Sequence, residues 1–112
     1  MDINSVKELV TALENKFAMD VQVLDISEIS SLGDYFVMAT GKNDNQMDAM
    51  AGAAQEYLHS KNIHLKNTEG RGNTGWVLLD FGIIIVHIFN EASREFYKLD
   101  SLWADAKPIA MS

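Results

Sequence analysis

Near the start of the chain, apolar side chains fall at three- and four-residue steps, at Val6, Leu9, Val10, Leu13 and Phe17. That spacing places them on one face of a helix. Ser5-Val6-Lys7-Glu8 reads as a capping box ahead of it, the Ser hydroxyl accepting from the Glu8 backbone N–H while the carboxylate reaches back. A first helix is therefore expected over residues 5–16. The period then changes to two. Val21-Gln22-Val23-Leu24-Asp25-Ile26 alternates and is rich in branched residues, which predicts a strand. Ser30-Ser31-Leu32-Gly33-Asp34 is turn chemistry. Tyr35-Phe36-Val37-Met38-Ala39-Thr40 is a continuous apolar run, the pattern of a strand covered on both faces.

From Asp44 the helical period returns, with Met47, Met50, Ala51, Ala54 and Leu58 on one stripe of a helix expected to run to Lys61. Ala49, Gly52 and Ala53 are small enough for close packing against a sheet. Residues 63–67 make at best a short edge strand. Residues 76–81 and 83–89 are two strands separated by Gly82 alone, which predicts a tight hairpin. A short helix is expected at 92–97. The order α-β-β-α-β-β-β-α predicts an α/β fold of the α+β kind, a mixed β-sheet packed with helices. Two helices should cover one face, leaving the other for a partner. One domain is expected over residues 1–106, with 107–112 as a frayed tail.

Charge narrows the choice of partner. Sixteen acidic against nine basic residues give a net charge of −7. Phosphate-backbone binding draws its affinity from Lys and Arg, so direct dependence on nucleic acid is not expected, nor is an anionic membrane surface. A basic protein would attract the chain; acidity that serves only solubility is the alternative at this point. There is no cysteine, which removes disulfides and thiol chemistry. Residues 1–10 lack the pattern of a signal peptide, and the apolar stretch 83–86 is too short to cross a bilayer. A cytoplasmic location is expected.

Several motifs imitate chemistry. Gly70-Arg71-Gly72-Asn73-Thr74-Gly75 spells G-x-G-x-x-G, but that fingerprint needs a following helix whose N–H groups hold pyrophosphate. Here a strand follows, so a flexible loop is expected. Asp80-Phe81-Gly82 spells the kinase magnesium motif in a chain far too short for a kinase. His59 and His64 should be solvated. His87 shares a strand face with Ile85 and Phe89, and should be a satisfied, partly buried side chain rather than a ligand or base. Glu69 near Arg71 and the Asp25/Asp34 pair have no nucleophile to serve. No catalytic residue, metal site or cofactor is expected.

The segment from Arg94 to Asp105 crowds Phe96, Tyr97, Leu102 and Trp103 into a short stretch. Phe96 and Leu99 suit core closure over the hairpin. Trp103 suits either the core or an interface anchor.

Asp34-Tyr35-Phe36-Val37, Thr40-Gly41 with Gln46, Glu69-Gly70, and Gly75-Trp76-Val77-Leu78-Leu79-Asp80-Phe81-Gly82 are followed by Val86-His87-Ile88-Phe89, Arg94-Glu95-Phe96-Tyr97 and Leu99-Asp100-Ser101-Leu102-Trp103-Ala104-Asp105. In these residues, which span nearly the whole chain, the sequence resembles the Iojap-related ribosomal silencing factors. The resemblance implies a fold related to the nucleotidyltransferases and a homodimer away from the ribosome. It also implies a function: docking on the fourteenth large-subunit ribosomal protein, sterically blocking the small subunit and lowering translation when nutrients are short. The chain departs from the family's Thr-Gly-x-Ser-x-Arg-Gln pattern, having Asn43 and Asn45 in the Ser and Arg places, and carries Ile83 where an acidic residue commonly follows the hairpin Gly. No Asp-x-Asp or Asp-x-Glu pair lies on an expected strand, so nucleotide transfer is not expected. The expected contact surface is Trp76, Leu78 and Asp80 on one strand face, with Tyr97, Leu99, Asp100 and Trp103 beside it. The other readings are a degenerate nucleotidyltransferase that binds nucleotide with magnesium, and a dimeric interaction module independent of ribosomes.

Overall fold

The computed structural model of the chain describes residues 2–28, 33–71, 74–93 and 107–109. The elements are α1 (Ile3–Glu14), β1 (Met19–Asp25), β2 (Tyr35–Thr40), α2 (Asp44–Ser60), β3 (Asn67–Arg71), β4 (Trp76–Asp80), β5 (Ile84–Phe89) and β6 (Lys107–Ile109). Six strands form one sheet in the order β3-β4-β5-β2-β1-β6. β2 and β5 are parallel at its centre and every other pair is antiparallel. The mixed sheet with packed helices agrees with the expected class. Of the helix expected at 92–97, residues 92 and 93 are helical; the rest lies outside the described residues.

α1 and α2 lie on one face of the sheet and share a core with it. Val6, Leu9, Val10 and Leu13 of α1 meet Met47, Met50, Ala51, Ala54 and Leu58 of α2 over Val37, Ala39, Val77, Leu79, Ile84, Val86 and Ile88. The helical stripes read from the sequence are therefore the buried ones, with two corrections. Ala49 and Gly52 face solvent, and a side chain added at Gly52 would meet nothing, because both sit to the side of the Met47–Leu58 stripe. Phe17, counted on the α1 face, is 80% exposed. The helix closes before reaching it, through bonds from Ala18 N–H to the Leu13 carbonyl and from Phe17 N–H to the Glu14 carbonyl. These two bonds form a Schellman closure.

The helix starts carry a further correction. Asp2, not Ser5, caps α1: its carboxylate accepts from Ser5 N–H at 2.8 Å, satisfying one of the orphan donors of the first turn. α2 is capped by Asn43, whose Oδ1 accepts from Gln46 N–H at 2.8 Å. Asn and Ser are comparable N-caps, so Asn43 can fill this place as well as a serine.

The expected edge strand at 63–67 is displaced to Asn67–Arg71. Ile63 and Leu65 pack partly against the core, whereas the ladder to β4 begins at Asn67↔Asp80. The β4–β5 hairpin is tight, as expected, but it turns over Gly82 and Ile83 rather than Gly82 alone, with Phe81 N–H donating to the Ile84 carbonyl across them. Gly82 has φ +87° and Ile83 no positive φ, the pattern of a turn needing glycine at its first central position only. Within the stretch expected to fray, Lys107–Ile109 pair antiparallel with β1, from Asp25↔Lys107 to Val23↔Ile109. The β1 edge offers unpaired backbone groups that the strand completes.

A docking face on the sheet

The alternation of β4 turns Val77 and Leu79 into the helical core and leaves Trp76, Leu78 and Asp80 half-buried on the opposite face. Cross-strand pairing brings Phe89, His87 and Ile85 of β5 beside them, as Trp76↔Phe89, Leu78↔His87 and Asp80↔Ile85. On the other side β3 pairs Glu69 with Leu78 and Asn67 with Asp80. Residues opposite one another in a ladder share a face, so Leu78 sits between the exposed carboxylate of Glu69 and the buried ring of His87. The same register puts Phe36 and Met38 of β2 on this face through Phe36↔Ile85 and Met38↔His87.

The face opposite the helices was expected to be left for a partner, but much of it is covered. Phe36, Met38, His87 and Phe89 are all buried, and Leu24 and Ile26 join Phe36 and Met38 in a second apolar cluster. Along β4 it is half-buried only, because that strand lies toward the edge where β3 is exposed. The usable surface among the described residues is therefore a strip: Trp76, Leu78, Asp80 and the acidic edge at Glu69.

Aromatic stacking stiffens the strip. The Trp76 and His87 rings lie 5.9 Å apart at 14°, Trp76 and Phe89 6.2 Å apart at 3°, and His87 and Phe36 4.3 Å apart at 25°. Trp76 Nε1–H donates to His87 Nδ1 at 3.0 Å, which makes His87 the tautomer protonated on Nε2. Burial pushes the His87 pKa down from 6.5 to about 4, since the ring cannot be charged cheaply away from water. At neutral pH the ring is uncharged and spends Nδ1 on the indole, the satisfied role expected for it. Asp80 Oδ1 accepts from Gly82 N–H at 2.8 Å, so the kinase-like triplet is hairpin chemistry.

Gly70 and Arg71 of the G-x-G-x-x-G stretch end β3, and the next of the elements is the strand β4, not the α-helix that a dinucleotide fingerprint opens. His59 and His64 are exposed. Among the described residues no three His, Cys, Asp or Glu side chains come together as a metal site. Tyr97, Leu99, Asp100 and Trp103, the other half of the expected surface, lie outside the described residues.

Two side chains escaped the sequence reading as functional supports. Glu69 belongs to the residues that carry the family resemblance, but its cross-strand place beside Leu78 depends on a register that local pattern does not give. Gln46 ties three backbone groups: its Nε2 donates to the Lys16 and Phe17 carbonyls at 2.9 and 2.8 Å, and its Oε1 accepts from Lys42 N–H. It fastens the β2–α2 loop to the end of α1.

The family model described as ribosomal silencing factor during starvation matches residues 2–112. A ribosomal silencing factor of Bacillus subtilis is 36% identical over 104 residues, covering 93% of this chain and 87% of the relative. The crystal structure of a Chromobacterium violaceum protein superposes with a TM-score of 0.86 at 32% identity, covering 93% of this chain and 88% of that one. A Bacillus halodurans crystal structure does so with 0.83 at 28% identity, covering 97% and 99%.

Proposed function

The chain belongs to the ribosomal silencing factor family, and from that membership we propose that it docks on the fourteenth protein of the large ribosomal subunit and sterically keeps the small subunit from joining. The family is regulatory rather than catalytic, and its role is ribosome-associated silencing of translation. The mechanism needs occupancy, not chemistry. Net charge of −7 draws the domain toward a basic ribosomal protein, and apolar anchors then slow its departure.

The observation that carries the reading is the β4 strip, where half-buried Trp76 and Leu78 are flanked by the carboxylates of Glu69 and Asp80. A rigid aromatic beside acidic groups suits a basic, partly apolar surface. Tyr97, Leu99, Asp100 and Trp103 complete the proposed contact. When free, the protein forms a homodimer that buries the same strip, so dimerisation and docking compete. We place it in the cytoplasm with the ribosomes it acts on.

The test is a sucrose gradient of lysate from starved cells, read for this protein. Enrichment in the large-subunit fractions, with fewer joined ribosomes than in a deletion strain, is the expected result. Protein that stays at the top of the gradient, or wild type that leaves subunit joining unimpeded, ends the proposal. The competition is tested apart: a protein that remains dimeric while bound to the subunit contradicts it.

A further inference from the structure

We propose that His87 is a positioning residue for docking, holding the Trp76 indole in the one orientation that meets the partner. The proposal rests on the docking reading above. His87 is 5% exposed and too buried to serve as a contact itself; anything it does for docking must pass through a neighbour. Trp76 is that neighbour, half-buried on the strip and bonded to His87 through Nε1–H at 3.0 Å.

Neither half of the arrangement would suffice alone. Stacking of Trp76 on Phe89 and His87, at 3° and 14° between planes, sets the tilt of the indole but tolerates a flip of the ring within its plane. The bond to Nδ1 is directional and selects one flip. His87 is in turn wedged against Phe36 at 4.3 Å on its other side and against Phe89 at 5.8 Å. Its acceptor nitrogen therefore has a fixed place. An anchor held in its bound rotamer before the encounter gives up little freedom on binding, and that loss is one of the ordinary costs of association. Histidine suits the site because it is planar enough to stack and also carries a hydrogen-bond acceptor. Phenylalanine would do only the first and glutamine only the second.

The experiment compares His87→Phe, His87→Gln and Trp76→Ala with wild type in binding to purified large subunits. Each free protein is also checked by a cooperative melt, and wild type and the two His87 variants by hydrogen exchange of the Trp76 indole N–H, its resonance assigned by its loss in Trp76→Phe. We expect folded His87→Phe to exchange its indole proton faster and to bind about tenfold more weakly, the loss of one directional bond. His87→Gln, which keeps an acceptor, should lose less. Folded His87→Phe that binds as wild type overturns the positioning role, provided Trp76→Ala is weakened. A Trp76→Ala that binds as wild type removes the docking reading, and the proposal with it. Should His87→Phe not fold, the wild-type indole proton decides: exchange as fast as in free tryptophan overturns the proposal, and strong protection with weakened Trp76→Ala binding supports it.

Discussion

Phe17 and Asn62 occupy the same left-handed position at the ends of α1 and α2, with φ of 64° and 62°. Each donates its backbone N–H three residues back, to Glu14 and His59, and in each case the next residue closes the longer bond, Ala18 to Leu13 and Ile63 to Leu58. Asparagine is a common choice there; a phenylalanine is not. With 80% of its surface exposed, Phe17 gains little from packing in return for the strain.

Phe17→Gly should accordingly stabilise the free protein. The left-handed conformation costs a residue with a Cβ about 1 kcal/mol or more, partly offset by the extra freedom glycine has when unfolded. A net gain of about 0.5–1 kcal/mol in urea unfolding is the expected outcome. An unchanged or lower midpoint would mean that the exposed ring makes contacts worth the strain.

Gln46→Ala should cost about 1–3 kcal/mol, because it removes three hydrogen bonds at once, to the Lys16 and Phe17 carbonyls and from the Lys42 N–H, each worth about 0.5–1.5 kcal/mol net of its exchange for water. Gln46→Glu tests the direction of those bonds. A carboxylate can still accept from Lys42, but it faces two carbonyls with no proton to give. Its deficit relative to Gln46→Ala should be larger at pH 7 than near pH 4. Equal deficits at both values would show that the two carbonyls do not depend on the amide donor.

The central elements were legible because their signals are local. α2 carries its whole stripe within seventeen residues, and β4 is an apolar run closed by a hairpin glycine, with its two faces set by the period of two of any strand. Neither needed knowledge of a neighbour. What stayed hidden depends on distant partners. β3 is the polar run Asn67–Arg71, a strand only because β4 pairs with it, and β6 exists through β1. The placement of β2 beside β5, parallel and at the sheet's centre, sets which side chains meet on the docking face. The pairing of Trp76 with His87 follows from a one-residue register choice that composition cannot convey. The end of α1 was missed for a different reason: Phe17 continues the apolar period although the backbone has already turned.

His87 should make the fold acid-sensitive. Its pKa is about 4 in the folded chain against 6.5 when free, so as pH falls through 6.5 the unfolded chain takes up a proton that the native one refuses. Stability is intact above pH 6.5, declines from there to about 4, and loses on the order of 3 kcal/mol from this group by the bottom of the window. His87→Phe should flatten that part of the stability–pH curve. A variant whose curve parallels wild type between pH 6.5 and 4 would assign the acid loss to other groups.

Two glycines with similar backbones should respond very differently to alanine. Gly70 and Gly82 have φ of +74° and +87°, so each substitution carries left-handed strain of about 1 kcal/mol. The surroundings separate them. A Cβ at Gly70 would lie 2.1 Å from the Trp76 carbonyl oxygen, and that atom belongs to the β4 backbone. At Gly82 the nearest atom is Lys66 Nζ at 2.7 Å, the end of a flexible chain that can swing aside. Gly82→Ala should therefore cost little beyond its strain. Gly70→Ala must push β3 from β4 at the position that carries Trp76, costing about 2 kcal/mol or more. Urea unfolding measures both costs, and amide exchange along Thr68–Leu79 and Glu69–Leu78 locates the second. Because Trp76 rides on the displaced strand, Gly70→Ala should also weaken large-subunit binding in material that remains folded, whereas Gly82→Ala should not. Equal destabilisation by the two variants would mean the β3–β4 ladder yields as easily as a lysine side chain, and the strip could not be the rigid surface that docking requires.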